Sequence, residues 1–324
     1  MSVSLAPLSH PLTRKFLAAA SCFVLAACAV TPVEPPPVSK LPRVIGEHSQ
    51  ARGYARIIQS GPDAFTTQTG SRLFRKPGAP DIDLVGAIHI AQQDYYQRLQ
   101  ARLDQSDLVL FEGVSDRKSD GTPTGREKNG TYKRLADSLG LTVQTSGIDY
   151  KRSSFRRCDL SLEEMAAILD QEIAQGGAKG AAAADAKAEF AKIKTMLSGK
   201  SLLTNLVLGL VSNSPTLREY VLLMIVSSDI SNLEKKQLPS RLRQLIIQDR
   251  NQHVAGELRK LIGSGSRHRR IAIFYGAAHL PDSEQRLRAL GYSPSTGPIW
   301  NSAFSTHPYS VGIPQKEVKE AFGE

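Results

Sequence analysis

The chain has 324 residues, 41% of them hydrophobic, which is enough for one large folded domain or two small ones. Its formal net charge of +10 suits an anionic partner, but no long Lys/Arg block or aromatic-basic alternation is present, so we do not expect nucleic-acid binding. The cysteines Cys22, Cys28 and Cys158 are not spaced as a zinc knuckle or a redox pair, and they exclude a disulfide framework.

The first 27 residues are typical of a targeting segment. A positively charged start is followed by an apolar run from Phe16 to Ala27, which is too short to span a bilayer as a mature helix. The run ends in Leu-Ala-Ala-Cys, which resembles the lipobox of bacterial lipoproteins; an ordinary secretory signal is the alternative. We expect cleavage after residue 27 and a lipid on Cys28 that anchors the protein in the cell envelope, at the periplasmic face of the outer membrane.

Proline dominates the segment that follows. Residues 31–42 (TPVEPPPVSKLP) predict an extended tether, so residues 28–53 are expected to link the anchor to a folded part that starts near Tyr54. Residues 71–86 predict a β-hairpin, with Lys-Pro-Gly-Ala-Pro at 76–80 as its turn.

Residues 82–114 predict a strand, a helix and a second strand. The first apolar run ends in Gly86 and is followed by His89, and the second, DLVLFE, ends in Glu112. Strand, helix and strand units of this size form parallel pairs with a right-handed crossover. His89 and Glu112 are therefore expected at the carboxyl edge of a parallel sheet, where such sheets bind ligands.

The chain then becomes polar before it resumes regular structure. Residues 115–131, with several Gly and Pro residues, predict a loop, and residues 132–139 predict a short helix that ends at Gly140. Residues 141–148 predict a third strand, which ends at Asp149.

Residues 160–238 predict a helical insert. It opens with a Ser161–Glu164 capping box and continues through an Ala/Lys-rich stretch at 174–192. Two apolar stretches, 202–210 and 220–226, are too short to cross a bilayer and predict buried helices of a cap, with a monotopic membrane contact as the alternative.

Residues 241–262 predict one long helix with a charge inside its apolar stripe. Arg250 lies four residues from both Ile246 and Val254, so it needs an anionic partner from either the protein or a ligand. Asn251 lies beside it. Residues 270–279 (RIAIFYGAAH) then repeat the first design, an apolar strand, a glycine and a histidine, and the tail after Trp300 is expected to be frayed.

Two Gly-x-x-His turns and two acids thus follow predicted strands. If the strands share one sheet, His89, His279, Glu112 and Asp149 meet at one edge. Two His and a carboxylate suit Zn, Mn or Co, which would make hydroxide from bound water, with the second carboxylate as general base. Without a metal, a His–Glu pair could activate water itself while Arg250 stabilises the oxyanion.

Four blocks, VGAIH, LFEG, DRNQHVAGEL and YGAAHL, resemble the TraB/GumN/TIKI family, which is related to erythromycin esterase-like and ChaN-like proteins. The resemblance implies an α/β core with a helical insert and metal-dependent peptide hydrolysis. It carries His89, His279 and Glu112 over as site residues, and Arg250 with Asn251 as the family's Arg-Asn or Arg-Asp pair. Ala87 and Asp282 depart from the family's common residues.

The sequence therefore predicts an α/β fold with a central, largely parallel sheet, flanking helices, an N-terminal β-hairpin and a helical insert. The core is expected over residues 54–159 and 239–310, and the insert over 160–238. The first hypothesis is a lipid-anchored hydrolase, a metal-dependent peptidase acting on a peptide or small molecule. The alternative is a ChaN-like lipoprotein that binds haem or metal without turnover, with Tyr275 as a possible haem ligand.

Overall fold

The computed structural model describes residues 31–113, 130–197, 202–231, 239–263, 265 and 267–323. The expected signal peptide, the lipidation site Cys28 and residues 115–129 of the expected polar loop lie outside the described residues.

Strands and helices alternate through much of the chain. The strands are β1 (Arg43–Glu47), β2 (Ala55–Gly61), β3 (Ala64–Arg75), β4 (Asp81–Ala87), β5 (Ile90–Ala91), β6 (Leu108–Phe111), β7 (Thr142–Val143), β8 (Phe155–Arg157), β9 (Arg270–Gly276), β10 (Ser293–Pro294) and β11 (Ile299–Thr306). The helices are α1 (Gln93–Leu103), α2 (Thr131–Leu139), α3 (Gln144–Gly147), α4 (Leu162–Gln175), α5 (Gly177–Leu197), α6 (Leu202–Asn213), α7 (Pro215–Ser231), α8 (Ser240–Arg243), α9 (Arg250–Gly263), α10 (Leu280–Ala289) and α11 (Gln315–Phe322).

The main sheet has the order β1-β2-β3-β4-β9-β6-β8, with β10 and β11 also paired to β3. Its β4-β9-β6-β8 portion is parallel, and all pairs on the β1 to β4 side are antiparallel. The protein is thus mixed α/β with a parallel central sheet and flanking helices, as predicted. The antiparallel part is larger than the single hairpin that was predicted, because β1, β2, β10 and β11 extend it.

Around the first histidine the predicted hairpin is confirmed, and so is the parallel direction of the two strands that flank α1, but these two strands do not pair with each other. Strands β3 and β4 form the expected hairpin, in which Ser71 pairs with Val85 and Phe74 with Ile82. Strands β4 and β6 run parallel on either side of α1, but β9 lies between them and pairs with both. The carboxyl ends of β4, β9 and β6 therefore lie side by side.

Both ends of the described chain extend the fold beyond the predicted limits. Strand β1 pairs with β2, so the domain begins before Tyr54. The Pro-rich segment is not a free tether, since the Val33 amide donates to the Tyr309 carbonyl at 2.8 Å. The tail after Trp300 is ordered as β11 and α11, because β11 pairs with β3 and α11 packs its apolar face into the domain.

The predicted third strand was wrong. Of residues 141–148, only the two residues of β7 are in a strand, and they pair with β5 in a separate two-stranded sheet. The main-sheet strand is the three-residue β8, thirteen positions later along the chain than β7 begins.

The predicted helical insert is helical, but its helices pack into different cores. Val211, Leu217 and Val226 of α6 and α7 share a buried cluster with sheet residues such as Phe274. Helices α4, α5 and α8 form a smaller cluster of their own, which includes Leu169. Within the ranges described above, no helix is both long and apolar enough to cross a membrane.

The predicted long helix spans α8 to α9 with an irregularity in its middle. Residues Gln244–Asp249 form a π-helical turn directly before Arg250. Such turns take up an extra residue and rotate the helix on one side relative to the other. As a result Leu242 and Leu245 face the α4–α5 cluster, whereas Val254 and Leu258 face the sheet.

Candidate functional site

The turn that carries His89 is held in place by hydroxyl groups from below. The Thr69 hydroxyl donates to the Gly86 carbonyl at 2.9 Å, and the Tyr95 hydroxyl lies 3.3 Å from the same oxygen. The Tyr96 hydroxyl donates to the Ile88 carbonyl at 2.9 Å. The end of β4 is thus fixed by two buried tyrosines of α1.

Glycine is required at position 86, where β4 lies against its neighbouring strand β3. A Cβ on Gly86 would lie 2.7 Å from the Gly70 carbonyl oxygen, closer than carbon and oxygen can pack. The absence of a side chain lets the two strands approach and sets where the following turn emerges.

Glu112 follows β6 and is buried at the sheet edge. Its Oε2 accepts from the Gly276 amide at 2.7 Å, and its Oε1 accepts from Arg250 Nη2 at 2.7 Å. Because Glu112 N also donates to the Phe274 carbonyl, the carboxylate is tied to the end of β9 by both backbone and side chain. Both carboxylate oxygens are therefore engaged.

Arg250 connects Glu112 with a second acid, Asp159. Arg250 Nε and Nη2 donate to the two oxygens of Asp159 at 2.8 and 2.6 Å, a bidentate pair. Asp159 Oδ2 also accepts from the Gly113 amide at 2.8 Å. Arg250 is 8% exposed, and its predicted need for an anionic partner is met by the protein.

His279 completes the buried cluster, and its orientation is determined by Asn251. Asn251 Nδ2 donates to the His279 carbonyl at 2.9 Å and to Asp282 Oδ2 at 2.8 Å, so its Oδ1 must face His279 Nδ1, 2.8 Å away. Nδ1 then carries the proton. Nε2 is left as an acceptor, 3.4 Å from Arg250 Nη1 and 3.7 Å from Glu112 Oε1.

The cluster separates the protonation states of its members. Burial raises the pKa of Glu112, but the charge of Arg250 is the largest opposing effect, and the pKa is held well below its usual range. Burial raises the pKa of Asp159 above its usual value despite the bonds from Arg250. Burial lowers the pKa of His279 to about 4, although Glu112 opposes the change, so the imidazole is neutral at neutral pH.

Arg250 stays charged in this environment. Burial acts to lower its pKa, but Glu112 and Asp159 raise it well above the usual value. One guanidinium thus faces two carboxylates in a buried space.

His89 lies at the same edge and is held by a different amide. Its Nδ1 is 3.1 Å from Gln144 Oε1, and Gln144 Nε2 donates to the Tyr150 hydroxyl at 2.9 Å. The backbone N–H of Gln144 also donates to the His89 carbonyl at 2.8 Å. This orientation places the His89 proton on Nδ1, the same tautomer as His279.

The structure therefore brings together His89, His279, Glu112, Arg250 and Asn251, all predicted from the sequence. Asp149 is not part of this cluster, because it is exposed near Asp104 and Arg152 on another surface. Asp149 does not end a sheet strand, because the main sheet takes up β8 instead.

Sequence reasoning missed Asp159 and Gln144. Asp159 follows β8 as Glu112 follows β6, but β8 is only three residues long and carries two arginines, so no apolar run marked it. The only signal for Asp159 in the sequence is that an acid follows the short stretch Phe-Arg-Arg at 155–157 by two positions. Gln144 is 1% exposed in a short helix, and its sequence context offers no signal.

Tyr275, the possible haem ligand, and Cys158 are both core residues. Tyr275 is 1% exposed and its hydroxyl donates to the Cys158 carbonyl, which leaves it unsuited as a haem ligand. Burial raises the pKa of the Cys158 thiol to about 12, which makes this cysteine a poor nucleophile.

The predicted three-ligand metal site is not formed. No three His, Cys, Asp or Glu side chains of the described residues are grouped so that they could hold a metal ion. The cause lies in Arg250, whose guanidinium binds Glu112 and lies 3.4 Å from His279 Nε2, where a metal ligated by both would have to sit. A fixed cation at this position repels a second one.

The buried acid–guanidinium–imidazole cluster lies at the carboxyl edge of the parallel strands, the position at which open α/β sheets bind ligands. Comparison with protein-family models, with curated proteins and with solved structures finds no match to the chain. Function is consequently argued from the site.

Proposed function

We propose that the protein is a lipid-anchored hydrolase of the cell envelope, of the TraB/GumN/TIKI type, with a core like that of erythromycin esterase-like and ChaN-like proteins. Its reaction is the hydrolysis of an acyl bond, and peptides are the substrate class that the family resemblance implies. The lipid on Cys28 would hold the enzyme at the periplasmic face of the outer membrane.

The orientation of His279 is the observation that carries the proposal. A structural histidine needs only a hydrogen-bond partner, but here an amide whose own direction is set by two acceptors presents Nε2 toward Glu112 and Arg250. A neutral imidazole with a buried carboxylate 3.7 Å from its accepting nitrogen is arranged to take a proton and to be stabilised once charged.

In the proposed reaction the His279 imidazole takes a proton from water as the water oxygen adds to the acyl carbon. The same imidazolium then donates that proton to the leaving nitrogen or oxygen as the acyl bond breaks. Glu112 stabilises the imidazolium, and Asn251 keeps the His279 ring in the required tautomer. His89, which is less buried than His279, provides the second imidazole at the solvent side of the edge.

Arg250 is suited to the developing oxyanion through one nitrogen. Its Nε and Nη2 are occupied by the two acids at 2.6 to 2.8 Å, while Nη1 makes only long contacts, at 3.4 Å to His279 and 3.5 Å to the Ile246 carbonyl. A substrate oxygen that approaches Nη1 gains a charged donor that needs no reorientation, since the acids already hold it.

The experiment uses the mature chain and a panel of peptide and ester substrates. His89→Ala and His279→Ala are each expected to lower kcat/KM by at least about 100-fold, the usual contribution of general acid–base catalysis. His307→Ala, an exposed histidine near the C-terminus, is the matched control and should leave the rate unchanged. Hydrolysis that survives in both site variants would overturn the proposal.

A chelator tests whether hydrolysis needs a metal, and Gln144→Met tests the role of the hydrogen bond to His89. Hydrolysis is expected to continue in the presence of chelator, because the donor set does not fit a metal; loss of activity that added Zn, Mn or Co restores would contradict this. Gln144→Met removes the acceptor for His89 Nδ1 and is expected to shift the pH–rate profile, which a change in packing alone would not do.

A further inference from the structure

A groove lies between the N-terminal segment and the C-terminal helix, and none of the site residues lines it. Its volume is about 530 Å³. The apolar floor includes Phe65, Tyr309, Val318 and Phe322, in which the Phe65 and Phe322 rings stack at 5.0 Å between centroids. One wall is the Pro-rich segment from residue 36 onward.

The rim of this groove is basic. Three exposed cations line it: Lys40, Arg43 and Lys319. Among the described residues that line the groove there is no Asp or Glu. The nearby Glu317 accepts from the Tyr220 hydroxyl at 2.8 Å and is not part of the lining. An apolar floor under a cationic rim fits a molecule with an anionic head and an apolar body.

The wall of the groove is fixed to the domain. The Val33 amide donates to the Tyr309 carbonyl at 2.8 Å, and Gln315 Nε2 donates to the Glu34 carbonyl at 2.7 Å. Val33 is five positions after Cys28, which is at most about 18 Å of extended chain. A globular chain of this size has a radius of roughly 25 Å, so a lipid on Cys28 would keep this side of the domain toward the membrane.

We propose that the groove binds an anionic phospholipid of the membrane in which Cys28 is anchored, and that this contact holds the domain against the bilayer in one orientation. The orientation part rests on the proposed lipid anchor, but binding by the groove does not. The phosphate would lie among Lys40, Arg43 and Lys319, and the glycerol and upper acyl chain would lie against Phe65 and Phe322.

The test separates the groove from the anchor by using the mature chain with Cys28→Ser. Binding to phosphatidylcholine vesicles with and without phosphatidylglycerol is measured by co-sedimentation. The variant Lys40→Gln/Arg43→Gln/Lys319→Gln is expected to bind phosphatidylglycerol vesicles about 100-fold more weakly, since each basic residue at an anionic surface contributes roughly a five-fold effect.

The matched control removes the same charge elsewhere. Lys151→Gln/Arg259→Gln/Lys260→Gln also takes away two lysines and one arginine, all exposed and outside the groove, and should weaken binding less than roughly five-fold. Equal loss in both triple variants would show attraction by the net charge alone and would overturn the proposal, as would equal binding to both kinds of vesicle.

Entry of lipid into the groove has its own readout. Fluorescence of the Phe322→Trp variant is expected to be quenched by phosphatidylglycerol brominated in the upper acyl chain, beyond the quenching of Trp300 in the parent chain. Absence of additional quenching would overturn lipid binding in the groove. Labelling of wild-type and Cys28→Ser cells with radioactive palmitate tests the anchor separately.

Discussion

Replacing Arg250 with methionine tests whether the buried cluster is held by its charge. Methionine keeps most of the length of the side chain but removes the only cation in contact with Glu112 and Asp159 among the described residues. The Asp159 side chain is fully buried and that of Glu112 is 6% exposed, so solvent cannot replace the lost partner. Breaking a buried ion pair in this way costs about 3–5 kcal/mol.

The assay is urea unfolding followed by circular dichroism. With a slope of about 3 kcal/mol per molar, the midpoint of Arg250→Met should fall by roughly 1 to 1.7 M. Arg259→Met, an exposed arginine on the same helix, is the control and should change stability by no more than about 0.5 kcal/mol.

A second substitution decides whether uncompensated charge is the cause. Asp159→Asn in the Arg250→Met background removes one of the two buried anions, and it should recover at least half of the lost stability. The reasoning is refuted if Arg250→Met unfolds at the same urea concentration as Arg259→Met, or if the double variant recovers nothing.

Three further predictions test the contact of β3 with β4, the histidine and the thiol. Gly86→Ala brings a Cβ to 2.7 Å from the Gly70 carbonyl oxygen and should lower the free energy of unfolding in urea by about 1–3 kcal/mol. Gly256→Ala, with open space around it in α9, should raise that free energy by about 0.5–1 kcal/mol, and equal effects of the two substitutions would contradict the steric argument. The folded-state pKa of His279, about 4, lies below its unfolded value of 6.5, so the stability that the neutral ring contributes is complete above pH 6.5 and is lost as the pH falls toward 4. His279→Gln should therefore remove about 3 kcal/mol of the loss of unfolding free energy between pH 6.5 and pH 4, and an unchanged pH dependence of stability would refute the lowered pKa. The Cys158 thiol, with a pKa near 12, should react with a thiol reagent at neutral pH only after the protein unfolds, and fast labelling of folded protein would disagree.

The strand ends that carry the histidines could be predicted from the sequence, because each combines an apolar run, a glycine and a histidine. The parallel direction of β4 and β6 followed from the length of the connection through α1. The placement of β9 between them could not be predicted, since the order of strands in a sheet depends on tertiary packing. That placement is what brings His279 next to Glu112.

The second acid shows where local patterns fail. Residues 141–144 alternate between apolar and polar as a half-buried strand does, yet only two residues of the predicted strand pair, and they pair with β5. Strand β8 lacks an apolar pattern because it is a short edge strand with arginines on it, and its β identity comes from pairing with β6. The acid was accordingly assigned ten positions too early, to Asp149 instead of Asp159.

Arg250 was identified by treating residues 241–262 as one regular helix, and the structure explains why the conclusion held although the premise did not. The π-helical turn gives Leu245 and Val254 different cores to pack against, so no single apolar stripe exists. Arg250 begins the helix directly after that turn, at the junction of the two cores and over the sheet edge where Glu112 and Asp159 end their strands. The apolar residues on both sides made it buried, and the two acids made burial tolerable. The charge that seemed an exception in the pattern is thus the contact that joins the helical layer to the site.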